Sequence, residues 1–441
     1  MTRHGGTMRE TPAGETRTVS AGPATQRFIP FRRSDLVEML ADNGRLAQSD
    51  QAGFRALVRL LNAVFHHDFH EQLETLKDAY APFNPDPDTR AVRSYDAQDR
   101  QAARRRLVHE LTELLEDGNF EAIDQQDLQR AFEEESLLKI RLAVDQSDFE
   151  DVVFFRRGAT VREEVLTSWF GLRRRPVVFT NYEKVLILVT FKDAEHFEES
   201  AEDLPFTPGT TILKLFQDVP RADLEMLFPN ARPRMRLLDT LLIGVPALVG
   251  GIVVLSTKLI TTLGLLLVLV GFWLGIRDEP VELDQATLVT LGAGLGSLGG
   301  YLNRQLTKFK KRKIEFMQAL SEHLYFRNLD NDTGVLHHLI DDAEEEEVKE
   351  ALLCWYFLRT AEAPLTEAEL DEAVETWFRD HWDLEMDFEV NDGLTKLRKL
   401  GLLTRDDGRL AAVPVEEAMR RLDERWDAYF QYGGPVAEPG S

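Results

Sequence analysis

An apolar block just past the middle of the chain constrains the fold most. From Leu237 to Ile276, 40 residues carry two charges, Asp239 and Lys258. As a single helix this stretch would reach about 60 Å, twice the roughly 30 Å of bilayer hydrocarbon. Two passes are therefore expected, at about 238–257 and 259–276, turning at Ser256-Thr257-Lys258. Lys258 would extend its amine to the headgroups, and Trp273 falls near the returning interface, where indoles are favoured.

A third apolar segment, 286–302, has no charge but holds five glycines in 17 residues. Gly292, Gly296 and Gly300 are four apart, which places them on one helix face as a glycine zipper for close helix packing. Gly294-x-Gly296-x-x-Gly299 matches a dinucleotide fingerprint by letter, but no second strand ending in an acid follows at the required distance. Arg232, Arg234 and Arg236 precede the block, and Arg304, Lys308, Lys310, Lys311, Arg312 and Lys313 follow it. Placing both basic clusters on the cytoplasmic side requires an even number of crossings, so the Gly-rich segment is read as non-spanning. Three full passes are the alternative. Lys308, Lys310, Lys311, Arg312 and Lys313 are assigned to lipid headgroups.

Outside the block the chain is polar. Charged residues make up 29% and the net charge is −24, which opposes wholesale binding to a phosphate backbone. A single cysteine, Cys354, excludes an intrachain disulfide and a Cys-based zinc site. Residues 1–26 lack large apolar residues and read as a disordered tail. Phe54, Leu57, Leu61, Val64 and Leu73 then recur at helical spacing, Pro82 to Pro87 break the pattern, and Leu107 to Leu115 resume it. Arg104-Arg105-Arg106 is expected on a solvated face. From Leu138 the period shortens to two, with four or five short strands and a hairpin turn at Thr180-Asn181-Tyr182-Glu183.

The last 90 or so residues read as a winged helix. Val348 to Leu358 supplies its first helix. Thr366 with Glu369 forms a capping box before the second. Leu394, Leu397 and Leu400 mark a third helix stopped by Gly401, and Asp407-Gly408 turns a hairpin. Lys396, Arg398 and Lys399 sit where a recognition helix would face DNA, but Asp387, Glu389, Asp392, Glu416 and Glu417 crowd them. A protein partner fits better than nucleic acid. The acidic run Asp341 to Glu347 reads as a solvated helix start.

Chemistry is sparse. His66 and His70 have the spacing of a metal pair, beside Asp68 and Glu71, and His337-His338 is the other histidine cluster. Helix surface explains both. Asp330, Asp332 and Gly334 resemble a cation loop without its later oxygen ligands, so a turn is expected. No nucleophile elbow, Walker loop or His-plus-Cys pair is present. No catalytic, cofactor or metal residues are assigned.

The string Leu324 to Val335, with Lys308-Phe309-Lys310 before it and Asp341 to Glu347 after it, resembles the transmembrane protein 143-like family (domain of unknown function 3754). Val219-Pro220, Asp223 to Leu227, Pro233-Arg234-Met235 and Arg27-Phe28-Ile29-Pro30 carry the same likeness, which covers Arg27 to about Gly433. The resemblance implies a membrane protein with bacterial and mitochondrial relatives, and no activity.

The expected fold is an α+β membrane protein. It has an N-terminal helical domain (27–136), a small β-rich domain (137–228), a helical membrane hairpin with a third Gly-rich segment (237–302), a basic juxtamembrane helix and linker (303–343), and a C-terminal winged-helix-like domain (344–433). The expected function is a membrane-anchored scaffold or adaptor in the cytoplasmic membrane of a bacterium, its soluble domains facing the cytoplasm. Expected partners are the lipid bilayer and other proteins, with a possible homo-oligomer and no nucleic acid. An oligomeric channel or transport accessory, or a membrane-tethered enzyme, are the alternatives.

Overall fold

The computed structural model describes residues 26–133 except 88, 91 and 93, then 141–168, 173–197, 204, 206–234, scattered positions between 264 and 322, and 324–430. The chain divides into two compact units, the larger drawn from 1–133, 146–224 and 327–441 and the smaller from 134–145 and 225–326.

The larger unit begins with helices α1 (Arg33–Asp42), α2 (Gln48–Tyr80) and α3 (Ala97–Asp117). The apolar stripe of α2 buries Phe54, Leu57, Leu61, Val64, Leu73 and Leu76. The helix stops before Pro82, which lacks the N–H needed to extend the ladder. Asp96 and Asp99 cap α3 reciprocally. Strand β1 (Glu121–Ile123) and helix α4 (Gln125–Glu133) follow.

A sheet of order β1-β3-β4-β5-β7, antiparallel throughout, is built on β3 (Phe149–Ser168), β4 (Arg173–Phe191), β5 (Thr211–Pro220) and β7 (Asn328–Asn331). In β4 every residue from Val185 to Val189 is buried, as a strand covered on both faces requires. The expected hairpin turn at Thr180 to Glu183 does not form. Strand β4 runs straight through it, with Asn181 paired to Thr160 on one side and Pro220 on the other. Pairing on both edges overrides the local turn preference of Asn. The strands are accordingly few and long, β3 and β4 being 20 and 19 residues.

After β7 comes α5 (Thr333–Thr360), the central helix of the larger unit, packed against α2, α3 and the helices that follow. Every residue from Glu346 to Leu358 is buried. Next are α6 (Glu367–Trp382), α7 (Val390–Lys399), the hairpin β8 (Leu403–Asp406) and β9 (Arg409–Ala412), and α8 (Val415–Ala428). Leu365, before α6, is bridged to Leu410 of the hairpin in this segment, 344–433. The Thr366–Glu369 capping box forms, Gly401 takes φ +69° past α7, and Asp407-Gly408 turns the hairpin with φ of 45° and 79°. Helical, β-rich and winged-helix segments thus share one hydrophobic core: Leu61 of α2, Leu186 of β4, Leu352 of α5 and Leu397 of α7 all belong to it. The smaller unit contains a two-stranded antiparallel pairing of β2 (Arg141–Ala143) with β6 (Arg232–Arg234).

The membrane-protein expectation is corrected. Among the described residues no helix is long and apolar enough to cross a membrane. The long helices are charged, α2 over 33 residues and α5 over 28, whereas a crossing needs about 20 apolar residues in one run. The described helical positions leading up to Trp273 end there, and Gly275 in the turn after it takes φ +71°. The expected pass at 238–257 lies outside the described residues, and those at 259–276 and 286–302 are described only at scattered positions. The transmembrane class, the cytoplasmic-membrane location and the three membrane-based functions therefore do not stand. A mixed helix-and-sheet fold does.

Candidate functional site

The acidic run is not a solvated helix start. Helix α5 begins at Thr333, so Asp341 to Glu347 fall in its third to fifth turns, where the helix enters the core. Charges there need partners, because an unpaired buried ion costs several kcal/mol. The extended segment Gln26 to Arg33 supplies many of them. Glu346, fully buried, accepts from the Ile29 backbone N–H at 2.5 Å and from Arg157 at 2.9 Å, and lies 3.0 Å from Lys349. Lys349 donates to the Ile29 carbonyl at 2.7 Å. Glu345 accepts from the Arg33 N–H at 2.9 Å, and Glu344 faces both Arg33 and His66. Arg157 stacks over Phe28 and also meets Asp342 at 3.3 Å, while Lys184 bonds to Asp342 at 2.6 Å. Phe31 packs on Phe378 and Trp382. The segment Arg27 to Phe31 is thus held along α5 as if it were a bound peptide.

One turn further along α5, Glu347 and Glu350 both engage Lys396 of α7, the latter at 2.8 Å, and Asn119 donates to Glu350 at 2.9 Å. Burial pushes the Glu350 carboxyl well above the usual range, with Glu346 adding to it. Burial likewise pushes the Lys396 ammonium down to about 7, against the pull of Asp117 and Glu346. The Cys354 thiol is raised by burial and by Glu350. Helix α7 reaches this close because residue 393 is glycine: a Cβ there would lie 2.5 Å from the Cys354 sulfur.

A third polar cluster holds the chain where it returns to the sheet. Asp332, at φ +51°, accepts from Tyr80 at 2.8 Å and from the Leu213 N–H at 3.2 Å, and its own N–H donates to the Leu213 carbonyl at 2.7 Å. Burial, then Asp332, raises the Tyr80 phenol. Arg327 lies 3.8 Å from the buried Asp223 carboxylate. The Asp330-to-Gly334 string therefore passes from β7 into α5 through a turn at Asp332, whose side-chain oxygen is engaged by protein donors.

Open surface chemistry lies elsewhere. Three clefts stand out. Two flank the Gln26-to-Arg33 segment, at about 440 and 340 Å³. The largest of the three, about 1060 Å³, runs between α3 and one end of the sheet. Its α3 wall carries Arg100, Arg104, Arg105, Val108 and His109, and the opposite wall carries Glu150, Asp193 and Gly209. Arg100 is fixed by the carbonyls of Pro82 and Gly209 and lies over Phe83, and Arg104 meets Glu150 at 2.7 Å. Arg105 is exposed and makes no ion pair or hydrogen bond with the described residues. The arginine run was expected on a solvated face: Arg105 and Arg106 are exposed, while Arg104 is anchored on Glu150.

Gly292, Gly296 and Gly300 occupy helical positions, and a Cβ at any of them meets nothing within 4 Å among the described residues. Lys311 is at an exposed helical position, while Lys308, Lys310, Arg312 and Lys313 lie outside the described residues. His66 faces Glu344, and no group of three His, Cys, Asp or Glu among the described residues is placed to hold a metal. His338 lies 3.7 Å from Asp330. In the winged helix, Arg405 and Arg409 meet Glu367 and Glu369 at 4.0 and 3.5 Å, and Lys396 turns inward; Arg398 and Lys399 are exposed.

The buried network was missed because charge run length was read without position. The legible signal was phase: Glu346, Glu347 and Glu350 share the stripe of Leu339, Ala343 and Leu353, with Lys349 one turn from Glu346.

Described in these terms, the chain is a mixed helix-and-sheet protein whose central helix binds its own N-terminal segment. Residues 182–334, from the middle of β4 to the first turn of α5, match the family described as Protein of unknown function (DUF3754). That span contains Asp223, Arg327 and Asp332, but not Arg27 to Phe31, the α3 cleft or the winged helix. No solved structure matches the chain.

Proposed function

We propose that this protein acts by binding a protein partner rather than nucleic acid or a reacting substrate. The observation that carries the reading is the state of the winged-helix cations. A DNA-binding winged helix needs its basic side chains free for phosphates. Here Lys396 is spent inward on Glu347 and Glu350, and Arg405 and Arg409 face carboxylates. Glu350, Cys354 and Lys396, each strongly shifted by burial, are packed between helices and line none of the three clefts. The net charge of −24 adds a general repulsion of polyanions.

The test is fluorescence anisotropy of the full chain with a pool of randomised duplex DNA at about 150 mM salt, near the ionic strength of the cell. No sequence-selective complex is expected. A selective complex lost in an Arg398→Ala, Lys399→Ala double variant would overturn the reading.

A further inference from the structure

We propose that the cleft along α3 is the docking site for an acidic, extended segment of the partner. This rests on the protein-binding reading and names the chemistry of the segment. Helix α3 points two adjacent rows into the cleft: Arg100, Arg104 and Val108 on one, Gln101, Arg105, His109 and Thr112 on the other. The first row forms a fixed wall. Arg100 is pinned by two carbonyls and Arg104 by Glu150, so both guanidinium groups are already engaged by the protein. The second row is available. Arg105 has no counter-charge among the described residues, although 76 of the chain's residues are acidic and most other described arginines have found one.

Between the arginines, Val108 is half exposed and offers an apolar step. A ligand that fits has carboxylates for Arg105 and His109 and an apolar side chain for Val108. The cleft is an open trough lined on one wall by α3 from Ala97 to Thr112, which suits a peptide laid along it rather than an enclosed small anion. Glu150 and Asp193 on the far wall disfavour a continuous polyanion such as DNA but tolerate a peptide whose charges lie on one side.

The experiment uses the full chain and a labelled peptide of about a dozen residues, rich in glutamate with a central leucine. Its binding is read by anisotropy, with affinity expected to fall as salt rises. Arg105→Glu should weaken binding at least tenfold. Arg106→Glu changes net charge equally on the next helix position, which does not line the cleft, and should change affinity less than twofold. Thermal melts confirm that both variants fold. Equal loss in the two variants would show mere net-charge attraction and overturn the site. Displacement of the peptide by millimolar inorganic phosphate would reassign the cleft to a small anion, and no binding at all would overturn it outright. If the peptide fails while duplex DNA also fails to bind, only this inference falls. Selective DNA binding would remove the protein-binding reading beneath it.

Discussion

Replacing Glu346 with Gln keeps the shape of the side chain and removes its charge, which isolates the electrostatic part of the clamp on the N-terminal segment. In the native protein Glu346 is fully buried and sits against Arg157 at 2.9 Å and Lys349 at 3.0 Å, both nearly buried themselves. After the substitution Arg157 keeps Asp342 at 3.3 Å, but Lys349 is left with the carbonyls of Ile29 and Phe31, at 2.7 and 3.3 Å. A buried ammonium without an adjacent carboxylate should cost about 3–5 kcal/mol. With a urea dependence of about 2–3 kcal/mol/M, the unfolding midpoint falls by about 1–2.5 M. Fluorescence of Trp355, buried between α2 and α5 near Phe54, reports the transition. Trypsin cleavage at Arg27, Arg32 and Arg33 should accelerate in parallel, because the segment is then held less tightly. Glu74→Gln, at an exposed pair with Lys77, is the control and should cost under about 0.5 kcal/mol. Combining Glu346→Gln with Lys349→Met should cost at least about 1 kcal/mol less than the sum of the two. Strict additivity, or a loss no larger than the control, would refute the account of the acidic run as a paired internal clamp.

Two further outcomes follow from the contact of α5 with α7. Because Lys396 is depressed to about 7 in the folded protein and ordinary when unfolded, the unfolded state holds more protons between about pH 7 and 10. Stability should therefore rise with pH across that window in urea titrations. Lys396→Met should abolish the rise and destabilise most below about pH 7, where Lys396 is charged and Glu347 and Glu350 lose its counter-charge. Gly393→Ala should lower stability by about 1–3 kcal/mol through overpacking, and Cys354→Ala in the same chain should recover part of the loss in thermal melts.

The local elements were legible because their causes are local. The stripe of α2 from Phe54 to Leu73, the Thr366–Glu369 capping box, the stop at Gly401 and the Asp407-Gly408 turn each depend on residues within a turn or two of one another. Hydropathy pointed to membrane passes in 237–302, whereas among the described residues no helix is long and apolar enough to cross. The turn placed at Asn181 failed because its competitors, Thr160 and Pro220, lie on other strands. The acidic run shows the division most clearly. That Asp341 to Glu347 form a helix was a property of the sequence, but whether they meet water or protein was settled by Ile29, 317 positions away from Glu346, and by Arg157 from the sheet. Helix periodicity is set by backbone geometry within a few residues, whereas burial of a charge is set by which distant groups arrive to pair with it.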